Sequence, residues 1–274
     1  MAHPFHAAAC ANVRPSRHAR LLAYPCLVLA LVVTSGAGLA QGEPPASPGL
    51  SPLAAARQAY QQRGKPGQAA AAVRLFAEAA AADPASYEAR WEGARACYAY
   101  GTYTLAEERN SERINVFEDG IGRAKAAVAL RPEGVEGHFW LGVLYGVYGE
   151  ARGVLKSLFL VDDIRSAMET CLKIDPSVED WGPYRVLGRL YFKLPGFKGG
   201  DNRKSREYLE KCLAAEPANE LTRLYLAETY QALGMKQEAR AQLTHILDTP
   251  PDPRWAPESP WVRAQAQRLL ARLR

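Results

Sequence analysis

The chain has 274 residues, with 34 basic against 29 acidic side chains and a formal charge of +5 at neutral pH. Residues 1–40 hold Arg14, Arg17 and Arg20 and no acid, so the remainder is nearly neutral and gives no electrostatic reason to expect nucleic acid as a partner. Ala, Leu and Arg dominate and Val/Ile/Thr runs are scarce beyond the N-terminus, which favours helix over strand.

At the N-terminus, Arg14, Arg17, His18 and Arg20 precede the apolar run LLAYPCLVLALVV, and TSGAGLA then presents Gly38 and Ala40 before Gln41. This is the pattern of a secretory signal peptide over residues 1–40, cut after Ala40, and it predicts an exported protein of a bacterial periplasm. The run from Leu21 to Val33 is short for a bilayer span, and an uncleaved anchor is the alternative. Cys26 lacks the small-residue context of a lipid-modified cysteine. Residues 41–52, containing GEPPASPGLSP, read as a disordered leader.

From residue 53 to 250 the chain repeats itself. Similar apolar helical runs close at Pro84, Pro132, Pro176, Pro217 and Pro251, spaced by 48, 44, 41 and 34 residues. A period in the mid-thirties to forties signals a repeat array. The first unit is degenerate, with Tyr60 and Phe76 inside it. The last shows the pattern uninterrupted: small Ala227 precedes Tyr230, Gly234 makes the turn and Ala239 opens the second helix. This resembles a tetratricopeptide repeat, in which small residues let two antiparallel helices approach closely. Ala94, Gly142 and Gly188 occupy the equivalent small position in the earlier units, whose extra length falls between first and second helix. The fold class expected is therefore all-α, a right-handed solenoid of five tetratricopeptide-like helix pairs with elongated inter-helix segments.

One such segment, Pro195-Gly-Phe-Lys-Gly-Gly-Asp201, raises the question of a phosphate loop. The Walker pattern fails, because Lys204-Ser205 follows Arg203 rather than glycine and no strand feeds the loop. The segment reads as a turn, with Pro195 and Gly196 ending one helix, Gly199 and Gly200 permitting positive φ, and Asp201 capping the next helix. After the array, residues 251–260 form a proline-rich linker, and residues 261–274 place Val262, Ala266, Leu269, Leu270 and Leu273 on one face. That face suits a capping helix.

Catalytic signatures are missing. Asp162 and Asp163 are adjacent and face apart on a helix, and His138 and His245 have no partner at metal-ligand spacing. Cys97, Cys171 and Cys212 fall on apolar faces and read as core residues. No GxSxG, HExxH or GxGxxG appears in the right context, so neither an enzyme nor a cofactor or metal is expected. The first helix of each pair should line the concave face. Its inner positions, counted from the small residue, are Trp91, Arg95 and Tyr98; Phe139, Val143 and Gly146; Arg185, Arg189 and Phe192; and Leu224, Glu228 and Gln231. Aromatics and arginines together suit an extended peptide or an organic anion with an apolar tail, although each aromatic also fits inter-repeat core.

The middle of the chain, from Tyr87 to Pro251, resembles the T-component family of TRAP transporters. The resemblance lies in the Gly-x-x-x-Gly of Gly142 and Gly146, the SLFLVDDIRSAME helix and the LPGFKGGD turn before Lys204-Ser205. It implies a non-enzymatic periplasmic transport accessory that binds a solute-binding protein, with a small organic or hydrophobic ligand in the array and a trimeric homo-oligomer. The alternative is a periplasmic tetratricopeptide-repeat scaffold for protein–protein assembly in the cell envelope.

Overall fold

The computed structural model describes residues 49–273; the expected signal peptide and residues 41–48 of the leader lie outside them. Among the described residues there are α-helices and short 3-10 and π turns, and no strand. The helices are α1 (Pro52–Gln61), α2 (Gln68–Ala82), α3 (Tyr87–Ala99), α4 (Asn110–Leu130), α5 (Val135–Arg152), α6 (Val161–Ile174), α7 (Val178–Lys193), α8 (Asn202–Ala215), α9 (Glu220–Ala232), α10 (Lys236–Asp248) and α11 (Ser259–Arg272). Consecutive helices pair from α1/α2 to α9/α10, and each odd-numbered helix from α3 onward also packs on the next odd one. The result is an all-α, tetratricopeptide-like solenoid whose last apolar face α11 covers.

Local chemistry sets the helix ends. Each second helix stops just before its proline, because proline disfavours helical backbone in the residue ahead of it. Side-chain oxygens of Ser51, Ser86, Asp201 and Asn219 accept from free backbone N–H groups at the starts of α1, α3, α8 and α9. The small positions set helix spacing. A Cβ at Gly142 would lie 2.5 Å from Met168 Cε on α6, and one at Gly188 would lie 2.6 Å from Leu209 Cγ on α8. Gly146, the second glycine of the Gly-x-x-x-Gly pair, has nothing within 4 Å of such an atom.

The extra length is spent differently in each unit. After α3 it becomes a π turn (Tyr100–Thr104), a 3-10 turn (Glu107–Arg109) and a 21-residue α4. After α5 it becomes a 3-10 segment, Val154–Leu160. After α7 it is the proline–glycine turn, where Gly199 takes φ 87° and Asp201 Oδ1 accepts from Arg203 N at 2.8 Å. Gly200 corrects the sequence reading: its φ is not positive, and it is glycine because a Cβ would lie 1.8 Å from the Leu194 carbonyl oxygen. The proline-rich stretch before α11 contains a 3-10 turn, Pro253–Trp255, and α11 starts at Ser259 rather than 261.

One feature departs from repeat geometry. α7 opens with Glu179, Asp180 and Trp181 at φ 48°, 58° and 58°, a left-handed turn built without glycine. Left-handed helical backbone costs roughly 1–2 kcal/mol per residue for L-amino acids. Packing holds it: Gly182 and Pro183 are buried, Phe139 lies against Gly182, and Cys212 Sγ approaches the Trp181 carbonyl at 3.4 Å.

Among the described residues, Cys97, Cys171 and Cys212 are buried and free. Burial pushes the Cys97 and Cys171 thiols up to about 12, so both remain protonated and behave as small apolar side chains. The main apolar core runs from Ala94 through Phe117, Phe139, Leu144 and Met168 to Leu187, and a second joins α8 to α11 through Leu209, Leu226, Leu243, Ile246 and Val262.

Candidate functional site

The odd-numbered helices curve around two adjoining cavities. One, with about 1210 Å³ of empty space including its mouth, is walled by Tyr60, Arg95, Tyr103, Glu179 and Glu258. The other, about 890 Å³ on the same measure, is mainly apolar and is walled by Val143, Val147, Leu160, Ile164, Val186 and Leu190. Tyr98, Trp140, Arg185 and Leu221 belong to both walls and form the neck between them.

The polar cavity exists because the ends of the array meet. Arg63, in the α1–α2 turn, donates through Nε to Glu258 Oε1 at 2.5 Å and through Nη2 to Glu258 Oε2 at 3.0 Å. Gly64 lies against Pro257, and the Tyr103 and Trp261 rings meet edge to face at 5.4 Å. Arg254, just ahead of α11, pairs with Asp180 at 3.0 Å and Glu216 at 3.1 Å. First and last units are thus closed across the concave face.

Within the site the charges are mostly engaged. Arg95 lies over the rings of Tyr60 and Trp91, at 4.5 and 4.9 Å, and is 3.7 Å from Glu179. The left-handed turn aims Glu179 inward, where Trp140 Nε1 donates to its Oε1 at 3.3 Å. Burial raises the Glu179 carboxyl above its ordinary value, and Arg95 and Arg185 offset this only in part. Arg189 pairs with Glu150 at 3.3 Å and with Glu228, and covers the Tyr225 ring at 4.2 Å. Burial pushes Glu150 upward, but Arg189 and Lys193 outweigh it and hold the carboxyl below the ordinary range. Tyr98 and Tyr103 share a hydroxyl hydrogen bond of 2.9 Å, and burial raises both, so they are neutral hydrogen-bonding groups rather than bases.

Arg185 is different. Its guanidinium donates to the backbone carbonyls of Glu179 at 3.2 Å and Asp180 at 3.5 Å, both in the left-handed turn, and no ion pair engages it among the described residues. It stands at the neck with its charge uncompensated by a bonded carboxylate, between an apolar wall and a ring of tyrosines.

Of the residues expected to line the concave face, Arg95, Tyr98, Phe139, Val143, Gly146, Arg185 and Arg189 are in the wall of one or other cavity. Phe139 is also deep core, 1% exposed. Trp91 packs against the main core under Arg95, and Leu224 belongs to the second core. Phe192, Glu228 and Gln231 line neither cavity, although Glu228 reaches the site through Arg189. The counting rule missed the position two before the small residue, which brings in Trp140, Val186 and Tyr225. On a helix that position and the one after the small residue are three apart and share a face, so Trp140 goes with Val143 and Tyr225 with Glu228. Tyr60, Arg63 and Glu258 come from opposite ends of the chain, and no local pattern marks them. Asp162 is engaged by Arg165 at 3.0 Å, and His138 Nε2 meets the Pro132 carbonyl at 2.7 Å. Among the described residues no cluster of three or more His, Cys, Asp or Glu is placed to hold a metal ion.

Comparison with known proteins corrects the family expectation. The sequence profile described as Regulator of microtubule dynamics protein 1-3 matches residues 53–196, just over half of the chain, and a tetratricopeptide-repeat profile matches residues 197–257. Regulator of microtubule dynamics protein 3 of Rattus norvegicus is 25% identical over 176 residues, covering 58% of this chain; the match spans 36% of the rat protein's length. Among solved structures, a thermophilic tetratricopeptide protein of Thermus thermophilus superposes with a TM-score of 0.58 at 22% identity, over 80% of this chain and 97% of that one. That likeness concerns the fold. The TRAP T-component resemblance is overturned by the family match; of the residues that carried it, Gly142 serves the packing of α5 on α6, Gly146 packs against nothing, and the LPGFKGGD segment is a capped turn. The solute-binding-protein partner, organic ligand and trimer inferred from it lose their basis. The chain belongs to the regulator of microtubule dynamics protein 1-3 family, with tetratricopeptide repeats completing its array.

Proposed function

We propose that this chain is a non-enzymatic scaffold that holds a segment of a partner protein across its concave face, reading an acidic group at Arg185 and an apolar side chain in the adjoining cavity. Tetratricopeptide arrays serve protein–protein interaction, which supports the scaffold reading. The observation that carries the rest is Arg185 itself: a cation oriented by two carbonyls, without an ion-pair partner among the described residues, beside an apolar cavity of about 890 Å³. Such a guanidinium gains a charge-assisted, forked hydrogen bond when a carboxylate arrives.

The role in the rat protein's name belongs to that protein, and the match covers about a third of its length. Export is part of the proposal on the sequence pattern of residues 14–41 alone, and N-terminal sequencing of the mature chain should begin at Gln41. Peptide phage display against the full chain tests the binding reading. Enrichment should favour peptides with an acidic residue near a large apolar one, and Arg185→Gln should weaken the selected peptide about tenfold. Equal affinity for both proteins would refute the assignment.

A further inference from the structure

The chain leaves three large apolar side chains far more exposed than packing requires: Leu155 at 70%, Phe159 at 72% and Phe197 at 76%. They lie in two neighbouring intra-repeat turns, the Val154–Leu160 segment after α5 and the Pro195–Gly200 turn after α7. Leu158 and Leu160 of the first turn share an apolar cluster with Leu194 at the start of the second, so the two turns are anchored side by side. In the first turn, buried Ser157 and Leu160 alternate with outward Leu155, Lys156 and Phe159.

Within the two turns themselves the charge has one sign. Residues 151–161 and 190–200 contain Arg152, Lys156, Lys193 and Lys198 and no acid. Lys156 adjoins Leu155 and Lys198 adjoins Phe197; both lysines are exposed and have no ion-pair partner among the described residues. Flanking acids are largely engaged. Glu150 binds Arg189 and Lys193, Asp162 binds Arg165, and Asp201 accepts from the first amides of α8, which leaves Asp163 at the head of α6. Protruding apolar tips with a lysine beside them match an anionic bilayer interface, where rings and aliphatic chains enter the acyl boundary and ammonium groups meet lipid phosphates. A folded protein partner would be better matched by a flat contiguous patch with a polar rim than by separate tips on two turns.

We propose that this edge of the solenoid docks peripherally on an anionic lipid surface through Leu155, Phe159 and Phe197, with Lys156 and Lys198 supplying the electrostatic attraction. No described helix is long and apolar enough to cross a membrane, so the contact is one of a surface. It is separate from peptide capture at Arg185, and each reading can fail alone.

The test is vesicle co-sedimentation of the full chain, using phosphatidylcholine alone and phosphatidylcholine mixed with phosphatidylserine. Leu155→Ser, Phe159→Ser and Phe197→Ser combined should lower the partition coefficient on the anionic vesicles about tenfold or more. Lys156→Glu with Lys198→Glu should abolish the preference for anionic over neutral vesicles. The thermal melt of each variant should match the wild type, because none of the substituted side chains is buried. Hydrogen exchange of residues 153–160 and 195–200 should slow when anionic vesicles are added, a local readout independent of the apolar run at 21–33. Unchanged partitioning of the serine variant overturns the proposal, as does unchanged exchange in both turns. Loss of a co-purifying protein with unaltered vesicle binding would overturn it in favour of a protein contact.

Discussion

The α9–α10 pair and the entry to α7 solve the same packing problem in opposite ways. α9–α10 turns on a single glycine, Gly234 at φ 78°, and its buried Leu226, Ala227, Leu243 and Ile246 make a dry apolar contact. The entry to α7 carries three non-glycine residues in the left-handed region and is held by backbone-directed bonds from Arg185 and Cys212. Regular units supply stability, and the irregular one places Glu179 and Arg185 in the concave face. Local strain of this kind persists where the surrounding packing over-determines it.

That contrast can be broken first at the regular pair. Leu243→Ala empties a fully buried site between α9 and α10 and should cost about 2–5 kcal/mol, read as a lowered urea midpoint. A loss confined to a few tenths of a kcal/mol would mean that this pair is not the dry core described. A smaller effect compares two glycine substitutions. Glu169→Gly, on the exposed face of regular α6, should destabilise by about 1 kcal/mol, since glycine is a poor helix former. Asp180→Gly relaxes a left-handed backbone and forfeits a partly exposed bridge to Arg254; it should be neutral or stabilising, because exposed pairs contribute only about 0–1 kcal/mol. Equal losses from both would show that the entry to α7 is not strained.

The smallest effect is a difference in pH dependence. Glu179 has a raised native pKa, so its charged form opposes folding; stability falls as pH climbs through the ordinary 4.5 towards the native value. Glu150 has a lowered native pKa, so its stabilisation is present above 4.5 and is lost as pH falls through the native value. At neutral pH, Glu179→Gln should raise the urea midpoint and Glu150→Gln should lower it. The Glu179 difference should fade as pH falls below the ordinary 4.5, and the Glu150 difference only as pH falls below its own lowered native value, because protonation makes each carboxyl resemble the amide. The same sign for both variants would contradict the electrostatics of the site.

Much of this architecture was legible before folding was considered. Pro84, Pro132, Pro176, Pro217 and Pro251 end helices through their own backbone chemistry, and Gly142, Gly188 and Ala227 report helix spacing, so repeats and pairing follow from local rules. That Arg185, Arg189 and Tyr98 are in a cavity wall follows the same kind of rule, because periodicity along each helix fixes which residues share a face. Trp140 and Tyr225 were missed because the counting rule took one flank of that face and not the other. The apparent transporter motifs misled because a packing glycine and a capped turn look alike in any helical array.

The amino-acid sequence by itself therefore determined the helices, their ends and the order of their pairing, all set by interactions between residues close in the chain. Tertiary structure alone decided which charges are held in bonded ion pairs. Arg189 is engaged because α5 and α9 bring Glu150 and Glu228 to it, Arg63 because the array closes on Glu258, and Arg185 is left to two carbonyls by a turn no local propensity favours. The availability of a charge depends on neighbours far away in sequence, and only the curvature of the whole solenoid sets those distances.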